Sequence, residues 1–440
     1  MSDVKEIDKA VSPSRTSSVK TDSFGNPIDP TVGFARGTII RSSIDEALRL
    51  RHGQSVAARR VQMLGAESIG VFTGNQRDFP IHAEDIATLC EEWVGPGLAA
   101  EELRQVAIGH MGGRGDDAVA IFNRTSAGII ATIAALADGK PVVSVVPPGG
   151  RSHASVVRGS KIAGVAVHEV QGDKEWLKTV ESTRPALVVV TTVTSSLERL
   201  EDHITKEVIQ YAHALGARVF LDEAYGARLR TVLHGGQLSL QLGADVSVTN
   251  CDKAGLSGPR AGVLVGRKEP VTAAAAKGAE FGMEARAPIS AAVLRSLQKF
   301  EPDDLRQESA AGQKLAEALE QRLGKDLVQR SDLGPMVDED AVLSVLLKMS
   351  GVESKPVVVP CEATSALGMV LLGDHGILTV NTHGQPGARV SLRLKPTLDA
   401  LDRTGGFDAV VSAVMKSLEK VAALIHDREA IAQLVVGKSR

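Results

Sequence analysis

Between about residue 118 and residue 266, short apolar runs alternate with longer amphipathic stretches. The runs are AVAIFN, PVVSVV, VAVHEV, ALVVVTT, ARVFLDE, DVSVTN and AGVLVG; between them lie spacers such as SAGIIATIAALADG, HASVVRGSKIAG, WLKTVESTR and KEVIQYAHALG. A run that is apolar at almost every position predicts a strand buried on both faces, and helix-length spacers supply the cover. The pattern therefore predicts an α/β domain around a mostly parallel sheet of the seven-stranded type. AGVLVG follows DVSVTN too closely for a helical crossover, so it is expected as an antiparallel neighbour.

The flanks read differently. Residues 1–35 are polar and without period, which predicts a flexible arm. Residues 36–98 are expected to be helical, with SSIDEALRLRHGQSVAARRVQML opening at a serine cap. The sheet-forming pattern occupies residues 99–285. From 286 to 440 the order is helix, helix, mixed strands (PVVVP and ARVSLRL) and a final long helix, AVVSAVMKSLEKVAALIHDREAIAQLVVG, which predicts a smaller C-terminal α+β domain.

Composition narrows the class. A chain of 440 residues is long enough for two cores, and with aromatics at 3% those cores rest on Ala, Val, Leu and Ile. The net charge of −3 gives no footprint for DNA and argues against a tRNA partner. Three scattered cysteines suggest free thiols in a reducing compartment. The N-terminus lacks an apolar signal core, and the longest apolar stretch, Ala127–Ala137, is too short to span a bilayer, so a cytoplasmic location is expected. Walker A, G-x-G-x-x-G, H-E-x-x-H and C-x-x-C motifs are absent, and no metal site is expected.

Two segments carry candidate chemistry. RVFLDEAYGAR (218–228) brings Asp222 to the end of a strand, and VSVTNCDKAGLSGPRAGVLVG (246–266) places Lys253 just beyond another. An acid and an amine at neighbouring strand ends suit pyridoxal phosphate, whose pyridine nitrogen needs a carboxylate and whose aldehyde needs a lysine with a lowered pKa. On this reading Lys253 holds the cofactor as a Schiff base and then serves as base and acid. Thr125 and Ser126, opening a helix, offer hydroxyls and N–H groups to the phosphate. His153 can lie on the ring, Tyr225 can bond its hydroxyl, and Thr249 and Asn250 can reach the phosphate. Arg389 is a candidate to fork a substrate carboxylate, and Arg260 and Arg124 are candidates for a substrate or phosphate contact. His110, His234, His375 and His383 receive no role.

These segments resemble known ones. LDEAYG resembles the aspartate motif of fold type I pyridoxal-phosphate enzymes, the aspartate aminotransferase-like fold, and RSHASVVRGSKIAG is similar to the stacking-histidine segment of 2-oxoamine synthases. NCDKAGLSGPRAGVLVG and NRTSAGIIATIAALADGKPVV resemble bacterial selenocysteine synthase (L-seryl-tRNA(Sec) selenium transferase) and its archaeal relatives. The resemblance implies a homodimer or larger assembly and an amino-acid substrate, worked on through an external aldimine at Cα or Cβ by elimination or replacement. Transamination, aldol cleavage, racemisation, selenium or sulfur transfer on an aminoacyl-tRNA, and a non-catalytic cofactor-binding paralogue stay open. Asn250 and Arg260 depart from the residues usual in those relatives.

Overall fold

A computed structural model describes residues 20–172, 175–388 and 390–437. Its centre is a sheet of seven strands: β1 (Ala118–Phe122), β2 (Val142–Val146), β3 (Val167–Gln171), β4 (Leu187–Thr191), β5 (Arg218–Asp222), β6 (Val246–Thr249) and β7 (Gly262–Gly266). The spatial order is β3-β2-β4-β5-β6-β7-β1. The pairs β2–β3, β2–β4, β4–β5 and β5–β6 are parallel, whereas β7 is antiparallel to both β6 and β1, as its short connection requires. The fold is α/β.

Strand residues alternate between the covered faces. Leu187 and Val189 join Phe220, Val246 and Ile133 on one side, while Val188 and Val190 join Val219, Leu221 and Val208 on the other. With both faces dry, the sheet holds its carboxyl edge in fixed register, and loops rising from that edge carry the polar residues.

Around this unit lie the long helix Pro302–Leu323, a three-stranded sheet that includes Leu392–Arg393, and the helices Glu339–Ser350, Pro360–His375, Phe407–Ala422 and Arg428–Val436. Several expectations need correction here. PVVVP forms no strand but leads into Pro360–His375, whose first thirteen residues are all buried. Among the described residues of ARVSLRL only Leu392–Arg393 is a strand, and the final long helix is interrupted between Ala422 and Arg428. The helix Ala287–Gln298 packs into the core of the large sheet, against Ala99, Leu103 and Val263.

The N-terminal third also departs from its pattern. Helix Ser43–Leu64 opens at Ser42, whose hydroxyl accepts from Ile44 N–H at 3.2 Å. Residues 65–94 form short turns and a two-residue strand, Gly70–Val71, rather than continuous helix; the strand pairs with Ile377–Leu378, and Thr73, Asn75 and Gln76 bridge to distant backbone. Residues 1–19 of the expected arm lie outside the described residues. Residues 20–35 are no free arm: Ile28–Asp29 pairs with Phe34–Ala35, and Val32, Phe34 and Ala35 are buried in the core built mainly from the C-terminal helices.

Candidate active site

The loops at the carboxyl edge surround a cavity of about 630 Å³. Strand β1 delivers Arg124, Thr125 and Ser126, β2 delivers Ser152 and His153, β5 ends at Asp222, and β6 leads to Asp252 and Lys253; all of these line the cavity. The C-terminal part adds His383, Arg393 and Lys395, and the irregular N-terminal stretch adds Asn75 and Arg77. Backbone bridges hold that stretch in place: Asn75 pairs with Lys253, Gln76 with Ser257, and Thr73 with Lys395.

Arg124 caps helix Thr125–Leu136, whose first residues, Thr125 and Ser126, line the cavity. β7 can close against this turn only because residue 262 is glycine; a Cβ there would stand 2.7 Å from the Arg124 carbonyl oxygen. His153 caps helix Ala154–Ile162, and its Nδ1 accepts from Ser155 N–H at 3.2 Å, so the ring proton sits on Nε2. Burial, then the nearby Lys253 and Arg158, push His153 down to about 3, so the imidazole is neutral.

Asp222 accepts from Ala224 N–H at 3.3 Å and forms no ion pair among the described residues. Burial drives its pKa up to about 6 despite the attraction of Lys253. The Lys253 amine is depressed chiefly by burial, with Arg77 and Arg260 acting in the same direction and Asp252 and Asp222 opposing. Its Nζ lies 4.7 Å from the centroid of the Tyr225 ring. A second amine, Lys395, lies 4.3 Å from the same centroid and donates to Tyr225 Oη at 3.0 Å. Lys395 is buried, which holds its pKa well below the usual lysine value.

The structure thus brings Lys253, Asp222, His153, Tyr225, Thr125, Ser126, Arg124 and Arg260 to one cavity. Thr249 and Asn250 do not reach it. Arg228 takes them instead, donating to Thr249 Oγ1 at 3.2 Å and Asn250 Oδ1 at 2.9 Å, while Asn250 Nδ2 donates to the Ala224 carbonyl at 2.7 Å. Arg389 lies outside the described residues. Arg77, Arg393, Lys395 and His383 join the site without having drawn attention by motif. Arg393 donates to the Ser195 carbonyl and to Ser196 Oγ, beyond the end of β4.

With this geometry in view, the chain can be set beside known proteins. It is 32% identical over 409 residues to a UPF0425 pyridoxal phosphate-dependent protein of Methanothermobacter thermautotrophicus, across 91% of this chain and all of the relative. The chain belongs to the UPF0425 family. A second member, from Methanococcus maripaludis, is 29% identical over 86% of this chain and 99% of its own length. No family model matches. Among solved structures, alanine–glyoxylate aminotransferase from Nostoc sp. aligns with a TM-score of 0.53 at 14% identity, covering 80% of this chain and 94% of its own. Ureidoglycine–glyoxylate aminotransferase from Bacillus subtilis aligns at 0.52 with 12% identity, covering 84% and 98%. The UPF0425 chain therefore has the fold type I architecture.

The site fits the cofactor for which this family is named. A buried carboxylate with one backbone donor lacks only a cationic N–H, which a protonated pyridine supplies. A buried amine of lowered basicity suits attachment of an aldehyde, and the helix opening at Thr125 suits a phosphate.

Proposed function

We propose that this UPF0425 protein is a pyridoxal-phosphate enzyme acting at Cα and Cβ of an amino acid, by elimination or replacement. The observation that carries the reading is the convergence of the Asp222 carboxylate and the Lys253 amine, both buried, on one cavity. The family's name supports the cofactor. The resemblance of the Lys253 segment to selenocysteine synthase supports chemistry at Cβ, and the fold supports a homodimer.

When bound, the cofactor supplies an electron sink for the pair released at Cα. The protein does the rest. Lys253 would hold the aldehyde through Nζ and, when free, would move the proton at Cα; burial keeps that amine ready to accept it. Asp222 would hold the pyridine nitrogen protonated, and neutral His153 would cover a ring face without adding charge. Thr125, Ser126 and the helix start hold the phosphate. Tyr225, fixed by Lys395, offers its hydroxyl to the ring side of the cavity. Arg393, whose fork is fixed at the Ser195–Ser196 turn, sits where a substrate carboxylate can pair with it.

Purified protein incubated with pyridoxal phosphate is expected to show a visible absorption band, and borohydride is expected to trap one cofactor per chain. Lys253→Ala should abolish the trapped adduct. An adduct retained at full yield would mean that another lysine holds the cofactor.

A further inference from the structure

The geometry points to a substrate class: an amino acid whose side chain carries its own oxyanion, held by Arg77 and Arg260 beside the Lys253 amine. The inference rests on the pyridoxal-phosphate reading above and adds to it the identity of the side chain.

Arg77 and Arg260 arrive from unrelated parts of the chain and still meet in the cavity. The bridges Asn75–Lys253 and Gln76–Ser257 lay the Arg77 backbone along the loop that carries both Lys253 and Arg260. Each guanidinium has little to hold it there. Arg77 reaches Asp252 at 3.4 Å and keeps a third of its side chain exposed. Arg260 lines the cavity with no hydrogen bond or ion pair among the described residues. Arg77 and Arg124 add to burial in pushing Arg260 down to about 10, so the cations feel one another directly. Like charges placed together in a partly dry site are a cost that an incoming anion removes.

The cofactor phosphate does not account for the group. On the reading above its place is the helix opening at Thr125, where Arg124 is the capping residue and Ser126 and the N–H groups of Thr125 and Ser126 would be donors, the Thr125 hydroxyl being given to the Ala261 carbonyl at 3.1 Å. Arg77 and Arg260, by contrast, both act on the Lys253 amine, where the substrate sits. Arg77 also acts on Tyr225, on the ring side of the cavity.

A third residue points the same way. His383 lines the cavity, and both of its ring nitrogens are buried without a hydrogen-bond partner. Burial, then Arg77 and Arg260, keep the ring neutral. It therefore carries one N–H able to donate to an oxyanion. Two planar forks and one imidazole match the several acceptors of a phosphate ester or a carboxylate, whereas a hydroxyl would leave most of these donors unmatched.

The test titrates the cofactor-loaded protein with L-serine, O-phospho-L-serine, L-aspartate and L-glutamate, and reads binding by calorimetry and by the change in the visible band. At least one of the three acidic ligands should bind about tenfold or more tightly than L-serine, the scale of a charge-assisted pair. A preference for O-phospho-L-serine assigns a tetrahedral oxyanion, and a preference for aspartate or glutamate a planar one. In Arg77→Gln and Arg260→Gln the ratio of acidic-ligand to serine affinity should collapse toward one. Equal affinities in the parent protein would overturn the inference while leaving the cofactor reading intact. So would variants that lose the visible band but keep the ligand ratio, since the arginines would then serve the cofactor phosphate. Absence of the band from the parent protein is a separate outcome and removes the reading beneath.

Discussion

At the scale of single residues, Asp222 gives the clearest prediction. Its pKa rises from 3.8 to about 6 because burial penalises the charged form. The folded state therefore binds this proton more tightly than the unfolded chain. Stability falls as pH rises from about 4 to about 6, and the loss, about 3 kcal/mol, persists above that range. Asp222→Asn removes the cost of ionisation. The cofactor-free variant should melt higher than the parent at pH 7–8 and equally at pH 4, while losing the cofactor's visible band. Melting curves across pH check both limbs, and equal melting temperatures at pH 8 would contradict the assignment of a buried, poorly matched carboxylate. Asp222 and Lys253 were legible in sequence because an acid and an amine stand at, or just beyond, the ends of two consecutive apolar runs. Lys395 was not. In SLRLKPT it looks like a solvated lysine at a strand end, and only the fold sets it 3.0 Å from Tyr225 Oη.

Elements show where sequence patterns fail. The central strands were readable because both of their faces are dry, so nearly every position reports burial. Pro360–His375 was unreadable for the related reason that a helix buried on all sides has no polar stripe to set its period. Residues 70–76 have no helical period, since their backbone pairs with distant segments, and the adjoining Arg77 was missed with them. Thr249 and Asn250 were misread because a hydroxyl and an amide before the lysine look like phosphate ligands; a buried arginine six residues beyond Asp222 claims them. That arginine, Arg228, also donates to the carbonyls of Lys253 at 3.0 Å and Ala254 at 3.1 Å, and Ala254 takes φ +50. It fixes the reactive loop. Arg228→Leu leaves these acceptors buried and unmatched, and should cost at least about 3 kcal/mol in urea unfolding and abolish cofactor loading. Arg228→Lys should recover little, because one ammonium cannot reproduce the fork. Full loading of Arg228→Leu would show that the loop holds itself.

At the scale of the whole molecule, the N-terminal stretch binds the two halves of the chain together. Its hairpin buries Val32, Phe34 and Ala35 among C-terminal helices, and Glu362 accepts from the N–H groups of Ile39 at 2.5 Å and Ile40 at 2.8 Å. The same hairpin reaches the cavity, where Arg151 donates to the Pro30 carbonyl at 3.2 Å. Gly33 adopts φ +78, a conformation that favours glycine, and a Cβ there would displace the Arg151 guanidinium. Sequence marked residues 1–35 as a free arm because a short hairpin with few apolar positions has no period, yet it covers both a core and a cavity mouth. Deleting residues 1–36 removes two large buried side chains, at about 1.5–3 kcal/mol each, so unfolding free energy should fall by roughly 3–6 kcal/mol. The same deletion opens one wall of the cavity and leaves Lys253, Asp222 and the Thr125 helix start in place. Substrate affinity should therefore drop more than cofactor affinity. Gly33→Ala separates the two effects, since it strains the mouth while keeping the buried side chains. Its urea midpoint should lie between those of the parent and the deletion. If the deletion unfolds at the parent's midpoint, the hairpin contributes nothing to the fold, and its place at the cavity mouth loses its energetic basis.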